Sequence, residues 1–154
     1  MKLVEIEGAG CDIYAGRKAG SVLEGLLRGA EASIRVYSPF LSPMVAGILK
    51  EKAGRIPVEV FTTKAKGNRP HAKALRRLKG PGGILKWLFG RSNVEVRLLP
   101  DSFHAKVFFI DDVAVFGSAN LTYSGMRRNF EVVIVCRDPD AVMEMDRHFA
   151  ESFG

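Results

Sequence analysis

The residues best suited to chemistry lie in one stretch, residues 103–131, which reads FHAKVFFIDDVAVFGSANLTYSGMRRNFE. Residues 107–110 are apolar and of the β-branched and aromatic types that favour strands. His104 and Lys106 belong to the same run, so a strand would place both side chains on one face. Because an unpaired buried ammonium is costly, we expect an anionic group to meet Lys106. The pattern predicts a site that binds an anion.

A second predicted strand follows directly. Asp111 and Asp112 predict a tight turn, after which residues 113–116 return as an apolar strand. A glycine lets a backbone approach a ligand closely, and small polar side chains can donate hydrogen bonds to it. Three such residues follow the strand: Gly117, Ser118 and Asn120.

These residues resemble the HKD signature of the phospholipase D superfamily, in the form His104-x-Lys106-x4-Asp111 and then Gly117-Ser118-x-Asn120. Glu131, eleven residues past Asn120 at the head of a predicted strand, resembles the acidic residue that follows the signature. The resemblance extends over most of the chain, including residues 33–40 and a C-terminal helix. Residues 64–93 are the least similar part.

The resemblance implies phosphodiester cleavage with His104 as the nucleophile. Glu131 would hold the other ring nitrogen of His104, and Lys106 would bind a phosphate oxygen. Asn120 would donate its amide to the same oxygens, with Ser118 as a second donor or a support for the network. Asp111 has a carboxylate that only accepts hydrogen bonds, so we expect it to orient a partner, such as the histidine of the other half-site.

Two HKD motifs share one site in this superfamily, and this chain contains one. The resemblance therefore implies a two-fold homodimer with both copies of His104 facing one phosphate, and a phosphohistidine intermediate. Because the sequence offers no carboxylate cluster of the two-metal kind, we expect metal-independent catalysis without a cofactor.

The net charge of +6 comes from one segment. Residues 60–94 contain nine basic residues and no acidic one, so the rest of the chain is slightly acidic. This favours nucleic acid as the substrate, although a merely solvated cationic face would give the same pattern. The candidate phosphate-binding residues are Lys64, Lys66, Arg69, Lys73, Arg76 and Arg77. A second H-x-K, at His71 and Lys73, lacks the Asp and the G-S-x-N, and we predict that it is not catalytic.

The apolar stretch Ile84-Leu85-Lys86-Trp87-Leu88-Phe89 allows three interpretations. It could be a short helix packed on the core, a protein contact, or a wedge that enters a lipid surface or stacks on bases. The enzymatic alternative to a nuclease is therefore a phospholipid-hydrolysing enzyme that touches a membrane peripherally through residues 84–89. A non-catalytic nucleic-acid-binding module of the same fold is the third hypothesis.

A length of 154 residues suits a single domain, residues 1–154, with a basic, glycine-interrupted elaboration at about 64–93. The N-terminus, MKLVEIEGAG, lacks the apolar core of a signal peptide, and no run is long enough to span a membrane. We therefore expect a cytoplasmic protein. Cys11 and Cys136 are expected to be small buried thiols.

Strands and helices alternate along the predicted chain. Strands are expected at residues 2–6, 33–37, 58–62, 94–99, 107–110, 113–116 and 132–135. Helices are expected from an N-cap at Ser21, from Pro43 to Ala53, over 70–78, and after a cap at Asp138. This order predicts an α/β fold with a mixed, largely parallel central sheet flanked by helices on both faces.

Overall fold

Eight strands and five helices make up the part of the chain that the computed structural model describes, residues 2–6, 10–64, 66–80 and 93–154. The strands are β1 Lys2–Ile6, β2 Cys11–Arg17, β3 Ile34–Tyr37, β4 Val58–Thr62, β5 Val94–Leu98, β6 Val107–Ile110, β7 Val113–Gly117 and β8 Phe130–Cys136. The helices are α1 Ser21–Gly29, α2 Pro43–Lys52, α3 Arg69–Lys79, α4 Tyr123–Arg127 and α5 Pro139–Phe153.

The strands form one mixed sheet in the order β1-β2-β8-β7-β6-β3-β4-β5. Parallel pairing is confined to β3, β4 and β5, and the other neighbours are antiparallel. The predicted mixed sheet is confirmed, but its parallel part is smaller than expected. The reason is that tight connections such as the Asp111-Asp112 turn join antiparallel neighbours, whereas only the helical crossovers α2 and α3 join parallel ones.

Each face of the sheet has its own apolar core, because side chains alternate along every strand. One face packs against α1, α2, α3 and α4, with Leu23, Leu49, Leu78 and Met126 fully buried. The other face packs against α5 around Tyr37 and Phe109. Helices therefore flank both faces of the sheet, as predicted.

One edge of the sheet collects strand ends from several parts of the chain. β2, β3, β4, β5 and β7 finish there, and the antiparallel partners β6 and β8 begin there. The register shows this directly, since Tyr37 pairs with Val107 and Val107 pairs with Phe116. Segments distant in sequence are therefore adjacent at this edge, which we call the site edge.

Several local predictions need correction. His104 and Lys106 precede β6 rather than lying within it. Helix α1 begins at Ser21 itself, with Gly20 as the cap residue and no side-chain capping bond. A Cβ at residue 20 would collide with the backbone of α4, so the close packing of the two helices requires glycine there.

Two elements, β2 and α4, were not predicted. β2 contains Asp12 and Gly16, which are poor strand formers, yet it is paired on both sides. Helix α4 has only five residues and is tied to α1 by an Arg127–Glu24 ion pair of 2.8 Å. In both cases contacts with distant segments override local preference.

The apolar stretch at residues 84–89 lies outside the described residues, and so does most of the predicted elaboration beyond residue 80. Helix α3, which begins that elaboration, is one residue longer at each end than expected. Among the helices of the described chain, none is both long enough and apolar enough to cross a bilayer.

Candidate active site

His104 and Lys106 meet at the site edge. The Lys106 ammonium donates to the backbone carbonyl of His104 at 2.8 Å and lies 3.3 Å from its Nδ1 atom. Lys106 is only 9% exposed, whereas the His104 side chain is exposed to solvent. The arrangement places a fixed cation beneath an accessible imidazole.

The charge of Lys106 is held in an unfavourable place. Burial lowers the pKa of its ammonium, and the nearby Glu131 carboxylate offsets part of this effect. A buried cation that is incompletely neutralised attracts an anion. The burial of the Lys106 ammonium, on which the predicted anion-binding role was based, is therefore present in the structure.

Glu131 is 8% exposed and anchors a small network. Its carboxylate accepts hydrogen bonds from the Ser118 hydroxyl and, at 3.1 Å, from the Asn129 amide. The Ser118 oxygen in turn accepts the backbone N–H of Val132 at 3.0 Å. Ser118 is therefore a support for the network, one of its two predicted roles. Asn129 was missed by the sequence analysis, although its position two residues before Glu131 could have indicated it.

Glu131 was expected to hold the ring of His104, and within the described chain the structure does not show this contact. Both carboxylate oxygens are engaged by Ser118 and Asn129, and the polar neighbour of the His104 ring is Lys106. Sequence spacing cannot tell which of several adjacent donors a carboxylate accepts. Glu131 instead acts electrostatically on Lys106, which lies 3.3 Å from Nδ1 of His104.

Gly117 has a structural role that was not expected. Its φ of +150° and its contact with Val132, whose carbonyl a Cβ would strike, show that glycine is needed for β7 to pass closely along β8. The expectation was a close approach to a ligand. The same contact brings Ser118 within reach of Glu131.

Asn120 lies at the site edge with its side chain half-buried. Its Oδ1 atom is buried and has no hydrogen-bond partner among the described residues. Rotating the amide by 180° would place its NH2 group there instead, which is a donor suited to a phosphate oxygen. Buried polar atoms are nearly always hydrogen-bonded, so this position fits a residue that completes its bonding with a ligand.

Asp111 does not join the other site residues. It lies in the turn after β6, at the opposite edge of the sheet, with φ of +53°. Its carboxylate accepts the backbone N–H groups of Glu31, Ala32 and Ser33 at 2.7–3.1 Å. Burial alone would raise the pKa of this carboxyl, but the three N–H donors lower it. Within this chain Asp111 orients the loop at residues 31–33 and lies far from His104.

The predicted basic residues are exposed and differ in their contacts: Lys64, Lys66, Arg69, Lys73, Arg76 and Arg77. Lys64 and Lys66 directly follow β4 at the site edge, and Lys66 forms a 2.6 Å ion pair with Asp101, three residues before His104. Arg77 instead donates to the Pro43 carbonyl and lies against Gly47 of α2. Lys66 and Arg77 are thus engaged by other parts of the chain.

His71, the histidine of the second H-x-K, is fully buried. Its Nδ1 atom accepts the backbone N–H of Leu41, and its Nε2 atom lies 3.1 Å from the carbonyl of Thr63. Burial lowers the pKa of His71, although the bond with the Thr63 carbonyl opposes the shift. The ring joins α3 to the ends of β3 and β4, a structural role consistent with the prediction that this motif is not catalytic.

A comparison with protein families assigns this arrangement. The family model described as "Cardiolipin synthase, PLD-like domain" matches residues 23–153, which include every residue of the site. The chain belongs to the phospholipase D superfamily. No curated protein sequence matches the chain at a significant level.

Solved structures show how this phospholipase D fold recurs. Nuc from Salmonella typhimurium, a phospholipase D family member, has a TM-score of 0.72 at 18% identity and covers 92% of this chain and 93% of its own. TrmBL2, an archaeal chromatin protein with a novel mode of DNA binding, has a TM-score of 0.62 at 18% identity, with coverage of 97% and 54%. The phosphatidylserine synthase of Haemophilus influenzae Rd KW20 has a TM-score of 0.67 at 10% identity, with coverage of 98% and 38%. At these identities the likeness concerns the fold.

Proposed function

We propose that this phospholipase D superfamily member is an endonuclease, which hydrolyses nucleic acid at His104 in a two-fold dimer whose copies share one site. The observation that carries the proposal is the contact of Lys106 with His104, a buried ammonium 3.3 Å from an exposed imidazole. A phosphate bound to Lys106 would be in reach of the ring. The cation would stabilise the added charge as the ring attacks.

The reaction would proceed in two balanced steps. A neutral His104 ring nitrogen attacks phosphorus, forming a P–N bond while the P–O bond to the leaving nucleotide breaks. The protonated His104 of the second copy gives its proton to the leaving oxygen. That same ring then takes a proton from water, which attacks phosphorus, breaks the P–N bond and restores both histidines. Lys106 and the Asn120 amide would hold the non-bridging oxygens throughout, and we expect no metal or cofactor to be needed.

The surface beside the site supports the two-fold arrangement. Phe130 is 69% exposed and Val132 is 40% exposed, and these two apolar residues flank the buried Glu131 on β8. They pair with Arg17 and Ala15 of β2, on the sheet face that α5 covers only in part. An exposed apolar patch next to an incomplete site fits contact with a second copy.

Nucleic acid is favoured over phospholipid because the exposed cations extend from the site. Lys64 and Lys66 stand at the site edge, and α3 adds further exposed basic side chains. A row of cations is what a polyanion requires, whereas a single phospholipid headgroup does not need it. The DNA binding of TrmBL2 is consistent with this choice, and the phosphatidylserine synthase keeps the lipid alternative open to test. A cytoplasmic location stays part of the prediction.

The decisive experiment is a cleavage assay in EDTA with labelled single- and double-stranded DNA and RNA. Wild type is compared with His104→Ala and with Lys50→Ala, which removes an exposed cation of α2 outside the site. We expect wild type and Lys50→Ala to cleave and His104→Ala to be inactive. Circular dichroism of each variant verifies that it is folded.

Three other outcomes would contradict the proposal in different ways. Salt-sensitive binding without cleavage by wild type would indicate the non-catalytic binding module. Hydrolysis of phospholipid vesicles without nucleic-acid cleavage would indicate the lipid enzyme. Cleavage by His104→Ala at the wild-type rate would remove His104 from the mechanism.

A further inference from the structure

A cavity of about 450 Å³ opens directly beside His104. One wall is the segment before β6, and the other is the last two turns of α5. Residues that line it include Phe103, His104, His148, Phe149 and Phe153. The volume falls within the range of about 300–1,000 Å³ that is usual for small-ligand sites. None of the roles assigned above uses this cavity.

The aromatic walls of the cavity are held in place from behind. The Phe103 and Phe153 rings lie 5.2 Å apart, edge to face, and Phe149 packs edge-on against Tyr37 at 4.9 Å. Tyr37 is fully buried in the core beneath α5. Ring surfaces are therefore presented to the cavity by side chains whose orientation is set by the core. A rigid aromatic wall can bind a flat ring without first paying to order itself.

Polar groups lie at the rim of the cavity. His148 is exposed and its ring stands 6.2 Å from that of Phe149, at an interplanar angle of 81°. Ser102 and Ser152 add two hydroxyl groups to the lining. A heteroaromatic base would stack on the phenylalanine rings and offer ring nitrogens and carbonyls to these groups. An acyl chain would cover them and leave them without hydrogen bonds, which is unfavourable.

His104 connects the cavity to the reaction, because it lines the cavity and is the proposed nucleophile. In a nucleotide only the sugar separates the base from its phosphate. A base bound in the cavity would therefore belong to a nucleotide at the scissile phosphate. We propose that this cavity is a subsite for that base, with Phe153 as the stacking surface and His148 as the hydrogen-bonding side chain at the rim.

This inference rests on the proposed nuclease function and adds a separate prediction, that cleavage depends on the base at the scissile position. A nuclease that held only phosphates would cleave an abasic position as readily as a normal one. An enzyme with a base subsite would cleave a normal position faster. The strand carrying one tetrahydrofuran abasic residue at a defined place therefore tests the subsite, and the unmodified strand tests the function.

The experiment measures kcat/KM at that phosphodiester in both strands for wild type, His148→Ala and Phe153→Leu. The leucine keeps apolar volume in the core but removes the stacking face, and His148 is exposed, so both variants should fold. Wild type should prefer the normal position roughly tenfold, the usual order for one stacked base. Both variants should lose most of this preference and cleave the abasic position as wild type does. Arg147→Ala, on the same helix turn and outside the cavity lining, should retain the preference.

The outcomes separate the two claims. Equal cleavage of normal and abasic positions by wild type would overturn the base subsite and leave the nuclease standing. Variants that slow both positions alike would also overturn it, because they would show a general structural effect. No nucleic-acid cleavage, with hydrolysis of phosphatidylcholine vesicles that Phe153→Leu weakens, would overturn both and assign the cavity to an acyl chain.

Discussion

The Lys106 ammonium lies 3.3 Å from Nδ1 of His104 while being almost excluded from water. Its lowered pKa means that the folded protein holds this charge less favourably than the unfolded chain does. The buried Lys106 charge therefore lowers the stability of the folded protein and favours the binding of an anion.

Lys106→Met should therefore abolish activity and stabilise the protein. At pH 7 both the folded and unfolded states carry the lysine charge, so wild type bears the full desolvation cost that methionine removes. We expect the free energy of unfolding to rise by about 1 kcal/mol. The folded state of wild type loses the Lys106 proton at a lower pH than the unfolded state, whose pKa is about 10.4. The difference in the free energy of unfolding between the variant and wild type should therefore shrink as pH rises through this range. Urea unfolding at pH 7 and pH 10 measures it, and a variant less stable than wild type at pH 7 would contradict it.

Glu131→Gln should lower kcat at least tenfold, with little change in KM for the oligonucleotide substrate. Ser118 and Asn129 donate to different oxygens of the carboxylate, so the amide oxygen can accept only one of these hydrogen bonds, and the charge that faces Lys106 is lost. Asn129→Ala keeps the charge and removes only one donor, so it should cost less, about threefold. Steady-state kinetics on a short oligonucleotide gives both numbers. Equal losses in the two variants would show that the hydrogen bonds, and not the charge, matter.

Asp111→Asn should weaken the fold and leave chemistry unchanged. Asparagine tolerates the positive φ at this position, so the change removes mainly the charge that accepts three backbone N–H groups. We expect a loss of about 1–3 kcal/mol at pH 7 and a wild-type kcat.

The pH dependence of this loss follows from the lowered pKa of Asp111. Its stabilisation is complete above the unfolded pKa of about 3.9 and is lost as pH falls through the lower folded pKa. Wild type and variant should therefore converge in strong acid. Asp112→Asn, at the exposed neighbouring position, is the matched control and should change neither quantity. A fall in kcat for Asp111→Asn alone would return Asp111 to the catalytic machinery.

Mixing wild type with His104→Ala tests the shared site. If each active site needs both copies of His104, only wild-type homodimers are active, and activity follows the square of the wild-type fraction. An equimolar mixture, exchanged to equilibrium at fixed total protein, should retain about one quarter of the activity instead of half. Light scattering on the same samples should give a dimer. A linear dependence, or full activity of a monomer, would refute the shared site.

Phe130→Asp extends this test to the exposed apolar patch. A charge at a position that a second copy covers should weaken the dimer and reduce activity at low protein concentration more than at high concentration. Met143→Asp is the control, since Met143 is similarly exposed, at 67%, but lies on α5. If both variants remain dimeric and active at nanomolar concentration, the patch is not the interface.

Cys11 and Cys136 should form a disulfide without movement of the backbone. They are direct partners in the β2–β8 pairing, and the Arg137–Gly10 hydrogen bond of 2.7 Å makes theirs a non-hydrogen-bonded pair. Such pairs have Cα atoms about 4.5 Å apart, within the range of disulfides. Burial, followed by the hydrogen bond with Cys136, raises the pKa of the Cys11 thiol, so reaction with oxidised glutathione should be slow at pH 7 and faster at pH 9.

The product would be detected as a mass loss of about 2 Da together with a higher melting temperature, with two molecules of reduced glutathione released. Cys136→Ser should instead stop at the mixed disulfide. Persistence of both thiols in wild type at pH 9 would contradict the prediction.

The candidate site could be predicted from the sequence because its residues are local. His104, Lys106, Ser118, Asn120 and Glu131 occur within 28 residues, on segments whose strand character follows from their own composition. A lysine next to an apolar run is costly to bury in any fold, so the sequence alone indicates that an anionic group should lie near it. Most strand and helix positions were predicted for the same reason, since alternation and capping residues are properties of neighbours in the chain.

What only the tertiary structure decided depends on pairing between distant segments. Asp111 belongs to the motif by spacing, yet four residues of strand β6 carry it to the opposite edge of the sheet. Cys11 faces Cys136 because β2 pairs with β8, and the cavity beside His104 exists because α5 returns to that edge. Local sequence specifies what each segment can do, but contacts between segments far apart in the chain decide which side chains share a site.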